Sequence, residues 1–152
     1  MAGSRAVGAS GRRTVHGGPQ AVYAVAAQPV HGCAPTAGRA DTAYDDGVLR
    51  ITRPAGALVL TSEVNLSNRG ALRTALIEQA QRCGSDDLVV EVAALRYWDA
   101  CSIRPLAERA MRSPPGASLV LMGSGPALRR LIQLCRLHEL PRLSIGAAAE
   151  AR

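Results

Sequence analysis

Lysine and phenylalanine are absent from the 152 residues of this sequence, and aromatic residues are scarce, with one Trp and three Tyr. All 18 basic residues are therefore Arg, and they are scattered along the chain with no run longer than two. Nucleic-acid-binding proteins gather basic charge on one face, and those that bind single strands interleave aromatic residues. Because neither feature occurs, the net charge of +6 predicts a basic surface and no nucleic-acid partner.

Cysteine is also sparse, and its spacing excludes the commonest metal sites. Cys33, Cys83, Cys101 and Cys135 form no CxxC pair, and no His stands beside them in the spacing of zinc ligands. Three of the four fall in or beside apolar segments, where Cys behaves as a small hydrophobic residue. We therefore predict reduced thiols, no bound metal and a cytoplasmic location.

Signals for other cofactors and for membranes are missing as well. Gly123-Ser124-Gly125 lacks the Lys and the spacing of a P-loop, so it predicts a strand-to-helix turn and no cofactor. No apolar stretch approaches the roughly 20 residues of a membrane span. The short apolar patch at 21–27 follows Gly17-Gly18-Pro19 and contains no Leu, which argues against an export signal.

Residues 1–44 differ in composition from the rest of the chain. They are rich in Gly, Ala, Ser and Arg and show no apolar periodicity, so they predict a disordered N-terminal tail. The other interpretation of this segment is that the true start of the protein lies further along the chain. Residues 45–152 are more regular and predict a single domain.

Short apolar runs alternate with amphipathic segments through this domain. Strands are predicted at 48–52, 57–61, 87–95, 118–123 and 143–145. Helices are predicted at 67–83, after Ser102 and after Pro126. The order β-β-α-β-α-β-α-β predicts an α/β fold, with a small, mainly parallel or mixed sheet and helices packed beside it.

Local signals predict where the helices end and which side of each faces the core. Ser67 is the expected N-cap of the first helix, and Gly84 is its expected stop. The residues expected to face inward share helical spacing; they are Leu72, Ala75, Leu76, Gln79, Ala80 and Cys83, then Ile103, Leu106, Ala107, Ala110 and Met111, then Leu128, Leu131, Ile132 and Cys135.

Three segments in this order resemble the STAS domain, the family of bacterial anti-sigma factor antagonists and of the cytoplasmic domains of sulphate transporters. The resemblance spans residues 47–146. The segments are "LTSEVNLSNRGALRTAL", "DLVVEVAALRYWDACSIRPLAERA" and "GASLVLMGSGPALRRLIQLCRLHELPRLSI". The second of them is similar to the family's "VVLDLSGVxFLDSSGLxxL" stretch, and the third to its closing strand and helix.

The resemblance implies a switch rather than an enzyme. In the family, a Ser just after an Asp at the start of a helix is phosphorylated by a partner that is both anti-sigma factor and kinase. The unphosphorylated antagonist captures that partner and releases the sigma factor. A helix N-terminus suits such a switch because its unpaired N–H groups and its dipole respond to added negative charge. Asp99 stands at the family's Asp and is the expected N-cap of the following helix.

The sequence departs from the family pattern at the positions that carry the switch. Ala100 and Cys101 replace the two Ser residues, and Ser102 replaces a Gly. Upstream, Ser62-Glu63-Val64-Asn65 replaces a Gly-Glu-apolar-Asp stretch. Because a Ser kinase acts on a hydroxyl, Cys101 is a degenerate acceptor position, with Ser102 one residue away. The departures predict a STAS domain that keeps its fold while losing ordinary phospho-control.

We therefore predict a bacterial, non-enzymatic regulatory protein whose partner is an anti-sigma factor of the serine-kinase type. The predicted contact residues are Glu63, Asn65, Trp98, Asp99 and Ala100. A scaffold or sensor that pairs with other STAS proteins is one alternative. A thiol switch or thiol enzyme centred on Cys101 is another. The sequence does not support a catalytic triad of Cys101 with His138 and Asp99, because His138, near the end of the last helix, more often stabilises a helix C-terminus. Of the neighbouring aromatic residues Tyr97 and Trp98, at least one is expected to pack under the loop and not to contact a partner.

Overall fold

The computed structural model describes residues 41–54 and 56–146, and in them the chain forms seven strands and three α-helices. The strands are β1 (Asp41–Asp45), β2 (Leu49–Arg53), β3 (Ala57–Val64), β4 (Leu88–Glu91), β5 (Leu95–Trp98), β6 (Leu119–Met122) and β7 (Leu143–Ile145). The helices are α1 (Arg69–Cys83), α2 (Arg104–Met111) and α3 (Pro126–Leu134), with short 3-10 turns at Ala100–Ser102 and Leu137–Glu139. The predicted α/β class is confirmed.

All the strands belong to one mixed sheet, in the order β1-β2-β3-β4-β6-β7 with β5 paired to β3. The pairs β1–β2 and β2–β3 are antiparallel, and the remaining pairs are parallel. Helices α1 and α2 pack against each other, α1 also against β3 and β4, and α2 against β6. The fully buried centre is aliphatic and includes Leu49, Ile51, Leu58, Leu60, Leu72, Leu76, Leu106, Leu119, Leu121 and Ile132.

Strand β1 was not expected, because residues 41–44 fell inside the predicted tail. They pair with β2 through a tight turn in which Asp46 Oδ1 accepts hydrogen bonds from the backbone N–H groups of Val48 (2.8 Å) and Leu49 (2.6 Å). These N–H groups hold the pKa of Asp46 below its ordinary value. Asp46-Gly47 is a strong hairpin signal, and Gly47 has the positive φ of 83° that such turns require. The remainder of the predicted tail lies outside the described residues.

The predicted strand at 87–95 is two strands, and the single-strand prediction was wrong. β4 ends at Glu91, and a turn closed by the Leu95 N–H and the Val92 carbonyl (3.1 Å) starts β5. The apolar run continues through this turn, so hydrophobicity alone does not reveal it. The turn moves the chain along β3: β4 pairs with residues 57–59 of β3, and β5 pairs with residues 62–64.

The predicted boundaries and faces of the helices are mostly confirmed. Gly84 ends α1 with a φ of 62°, but the N-cap position is Asn68 and not Ser67. Met111 and Cys135 were expected in the core and are exposed, Met111 by 63%. Each stands at or just past the last residue of its helix, where the chain turns away and the helical phase no longer applies.

Candidate functional site

The two sequence stretches that suggested a site lie side by side in the structure. Glu63 pairs with Tyr97 and Val64 with Trp98 in the parallel ladder between β3 and β5. The Asp99 N–H extends this ladder by donating to the Val64 carbonyl (3.1 Å). Since both strands end here, the β3–α1 loop (residues 65–68) and the β5–α2 turn (residues 99–102) leave the same edge of the sheet as neighbours.

The β3–α1 loop is closed by its own two Asn side chains. Asn65 Oδ1 accepts hydrogen bonds from the Ser67 N–H (3.0 Å) and the Ser67 hydroxyl (2.6 Å). Asn68 is 1% exposed; its Oδ1 accepts from the Asn65 N–H (2.9 Å), and its Nδ2 donates to the Glu63 carbonyl (3.0 Å). Polar side chains that bond nearby backbone in this way stabilise turns. Asn68 was missed at the sequence level; an Asn three residues after another Asn, just before a helix, is the signal.

The strand that leads into this loop contains a strained residue. Ser62 has a φ of +79°, in the left-handed region that residues with a Cβ seldom adopt. The β3–β5 register shifts between Ser62 and Glu63, so the unusual φ coincides with a bulge. A Gly is usual at this place in the pattern that the segment resembles, and Ser62 adopts the backbone conformation that a Gly would adopt without strain.

The β5–α2 turn has one buried and two exposed side chains. Asp99 has an extended backbone, and its Oδ1 accepts a hydrogen bond from the Ser102 N–H (2.7 Å), so its predicted capping role is confirmed for the 3-10 turn that precedes α2. Ala100 and Cys101 are exposed. Ser102 is 0% exposed, and its Oγ has no hydrogen-bond partner in the described part of the chain.

The aromatic pair is divided as expected. Trp98 belongs to the core and is 8% exposed, whereas Tyr97 is 55% exposed and stands on the surface beside the turn. Alternation along β5 produces this difference, because consecutive residues of a strand point to opposite faces. The indole of Trp98 is therefore part of the core, and the phenol ring of Tyr97, beside the turn, is the one of the pair that a partner can reach.

Comparison with known proteins agrees with this fold. The family model "STAS domain" matches residues 48–148. The chain belongs to the STAS-domain family. Among solved structures, this STAS domain is similar to an anti-sigma factor antagonist from Mycobacterium paratuberculosis, with 20% sequence identity, a TM-score of 0.51, and coverage of 70% of this chain and 84% of that one. A search of curated proteins found no match. At this identity the structural likeness concerns the fold.

The predicted contact residues of the STAS domain differ in what they offer to a partner. Glu63 is half-buried, and within the described residues no side chain hydrogen-bonds its carboxylate. Ala100 is exposed on the β5–α2 turn. Asn65 and Asp99 use a side-chain oxygen within their own loops, and Trp98 is buried. The five residues therefore lie at one edge of the sheet. Asn65, Trp98 and Asp99 stabilise the local structure there, and Glu63 and Ala100 remain available to a partner.

The thiols do not form a catalytic arrangement in the part of the chain that the structure describes. Cys83 is buried in α1, whereas Cys101 and Cys135 are exposed. His138 stands next to Glu139, with 3.9 Å between Nε2 and Oε1, and no hydrogen bond joins it to Asp99 or Cys101. Within residues 41–54 and 56–146, no helix is both long enough and apolar enough to cross a membrane.

Proposed function

We propose that this STAS domain is a bacterial, cytoplasmic regulatory protein that binds an anti-sigma factor and has no catalytic activity of its own. The binding surface is the β5–α2 turn together with the exposed ring of Tyr97 and the carboxylate of Glu63. Aromatic residues at the centre of a contact supply much of the affinity of protein interfaces, and Tyr97 is the exposed one here. Asn65, Trp98 and Asp99 hold this surface in shape.

We further propose that the domain does not respond to a Ser kinase. The observation that carries this proposal is the exposure pattern of the turn. The two exposed residues, Ala100 and Cys101, have no hydroxyl, and the residue that has one, Ser102, is 0% exposed. A kinase must reach the hydroxyl oxygen, and in the folded domain Ser102 Oγ is enclosed. The antagonist would then remain in its binding-competent state whatever the kinase activity of its partner.

The binding half of the proposal is tested with purified ATP-binding anti-sigma factors of the host, by calorimetry against the full-length protein. Cys101→Asp adds a negative charge to the proposed contact and should weaken binding by about tenfold or more. Cys135→Asp is the matched control, because it makes the same change at an exposed Cys beyond the end of α3. Equal effects of the two substitutions would contradict the assigned surface. Binding only to another STAS domain would favour the scaffold role.

The phospho-control half is tested by incubating protein and partner with ATP and locating phosphate by mass spectrometry. The wild-type protein should take up no phosphate at the turn. Cys101→Ser should take up phosphate at residue 101, because it restores an exposed hydroxyl on an otherwise unchanged turn, whereas Cys135→Ser should take up none. Stoichiometric phosphate on Ser102 of the wild-type protein would show that the turn opens to the kinase and that phospho-control is retained.

A further inference from the structure

A groove between α1 and α2 gathers positively charged side chains that are far apart in the sequence. It has two adjoining sections, of about 280 Å³ and 420 Å³, that share Arg73, Pro105 and Glu108. One end reaches Leu66, in the β3–α1 loop, and the other reaches Arg112, at the end of α2. We call this feature the Arg groove, because five Arg residues line it: Arg69, Arg73, Arg104, Arg109 and Arg112.

The single carboxylate of the Arg groove leaves most of its positive charge unpaired. Glu108 forms ion pairs with Arg73 (2.8 Å) and with Arg104 (3.1 Å). Within the described residues, no carboxylate lies at ion-pair distance from the other three guanidinium groups, and the Nε of Arg109 is buried without a hydrogen-bond partner. Five Arg and one Glu give the Arg groove an excess of four positive charges.

This excess is local and does not reflect a generally basic domain. Residues 41–146 contain thirteen Arg and eleven Asp or Glu, which is a net charge of +2 with His neutral. Since the Arg groove alone carries +4, the remainder of these residues has a net charge of −2. The scatter of Arg along the sequence does not reveal this concentration, because packing of α1 on α2 places Arg residues that are far apart in sequence along one groove.

The smaller section of the groove, which reaches Arg112, is mainly apolar between its charged rims, whereas the larger section, which reaches Leu66, is lined mainly by polar groups. Leu76 and Pro105 are buried, Ile77 is 41% exposed, and Leu66, at the end near the β3–α1 loop, is 60% exposed. Among the described residues no aromatic side chain lines it, so these residues offer no surface on which bases could stack. The apolar floor and the basic rims of the groove are complementary to a helix that has one apolar stripe with acidic residues on both sides of it.

We propose that the Arg groove binds an acidic amphipathic helix of a partner protein. Apolar side chains of that helix would cover Ile77 and Leu66, and its carboxylates would pair with Arg69, Arg109 and Arg112. The Arg groove shares no residue with the β5–α2 turn, although its end at Leu66 lies in the neighbouring β3–α1 loop. The proposal does not depend on the anti-sigma role of that turn.

The test uses the full-length protein and a fluorescein-labelled peptide of about 14 residues, roughly 21 Å as a helix and close to the length of α1. The peptide carries Leu along one face and Glu on both flanks. Fluorescence anisotropy should detect binding of this peptide and none of a version in which every Glu is Lys. Equal binding of the two versions, or no binding of the Glu peptide, would overturn the proposal.

Charge-reversal variants locate the binding. Arg69→Glu and Arg112→Glu should each weaken binding by about five- to tenfold, because like charges then face each other. Neither side chain forms an ion pair with a described residue, and Arg69→Glu places an acid at a helix N-terminus, where it favours folding. Arg130→Glu makes the same charge change on the exposed surface of α3 and should leave affinity within about twofold. Equal losses of affinity in all three variants would mean that the peptide responds to the net charge of the protein and not to the Arg groove, and the proposal would fail.

Ile77→Ala separates a helix from a simple polyanion. This substitution should lower the affinity for the Glu peptide by about threefold or more, because apolar contact is lost, and it should leave the melting temperature of the protein unchanged. A labelled single-stranded oligonucleotide serves as the competing ligand. If it binds more tightly than the peptide and loses affinity in the same two Arg variants, the Arg groove is a nucleic-acid site and the proposal is wrong.

Discussion

The β3–α1 loop and the β5–α2 turn are neighbours at one edge of the sheet, and they use their polar groups in opposite ways. In the β3–α1 loop, the side chains of Asn65 and Asn68 form hydrogen bonds with Ser67, with a backbone N–H of the loop and with the Glu63 carbonyl that precedes it. In the β5–α2 turn, the Ser102 N–H donates to the Asp99 side chain (2.7 Å) and to the Asp99 carbonyl (3.1 Å), and within the described residues no side-chain hydrogen bond involves Ala100 or Cys101.

The first of these two regions therefore stabilises the fold, and the second presents side chains to a partner. A loop whose polar groups are satisfied internally keeps its shape and has little left to offer a partner. A turn held by one cap leaves its outer side chains available, and their chemistry can change without loss of the fold. The replacement of Ser by Ala100 and Cys101 lies in the second region. The departures in the first region, Ser62 and Asn65, retain the backbone conformation and the side-chain acceptor that the loop needs.

The largest loss of stability is expected when Asn68 is replaced. Asn68→Ala removes two hydrogen bonds and leaves the Asn65 N–H without its acceptor, so it should lower the free energy of unfolding by about 2–3 kcal/mol. Chemical denaturation measures this loss. Ser67→Ala is the control in the same loop; since Ser67 is exposed, it should change stability by less than about 0.5 kcal/mol. Similar losses for the two variants would show that the buried amide does not hold the loop.

These residues also show how far the sequence determines the site. Capping by Asp99 and the division between Tyr97 and Trp98 follow from local rules, a cap before a helix and alternation along a strand, and the structure agrees. The placement of the two loops at one edge requires β5 as a strand separate from β4, and an unbroken apolar run does not reveal that division. The enclosure of Ser102 depends on tertiary packing, which no window of sequence contains.

The next effect in size concerns the cap of the β5–α2 turn. Asp99→Ala removes the side-chain acceptor of the Ser102 N–H, leaves its longer bond to the Asp99 carbonyl, and should cost about 1 kcal/mol, the usual value for an N-cap. Asp99→Asn retains an acceptor oxygen and should cost only a few tenths of a kcal/mol. Thermal unfolding followed by circular dichroism distinguishes these outcomes. If Asn were as harmful as Ala, the negative charge of Asp99 would matter more than its hydrogen bond.

A smaller effect, of opposite sign, is expected at Ser62. Ser62→Gly relieves the positive φ, a gain of roughly 1–2 kcal/mol that is offset in part by the greater freedom of Gly in the unfolded chain. The net expectation is a stabilisation of about 0.5–1 kcal/mol in chemical denaturation. Ser62→Ala retains the Cβ and should not stabilise. A gain in both variants would trace the effect to the hydroxyl, and no gain in either would mean that the bulge tolerates a side chain without cost.

The smallest effect on stability belongs to Cys101, and it bears most directly on whether the β5–α2 turn is a surface. Cys101→Ser should change the free energy of unfolding by less than about 0.5 kcal/mol, because an exposed side chain without partners contributes little. Alkylation of the native wild-type protein, followed by peptide mass spectrometry, should modify Cys101 and Cys135 at similar rates. Buried Cys83 should react only after denaturation. Modification of Cys101 many times faster than Cys135 would indicate an activated thiolate. That result would favour the thiol switch over a passive contact surface, and the β5–α2 turn would then have chemistry of its own.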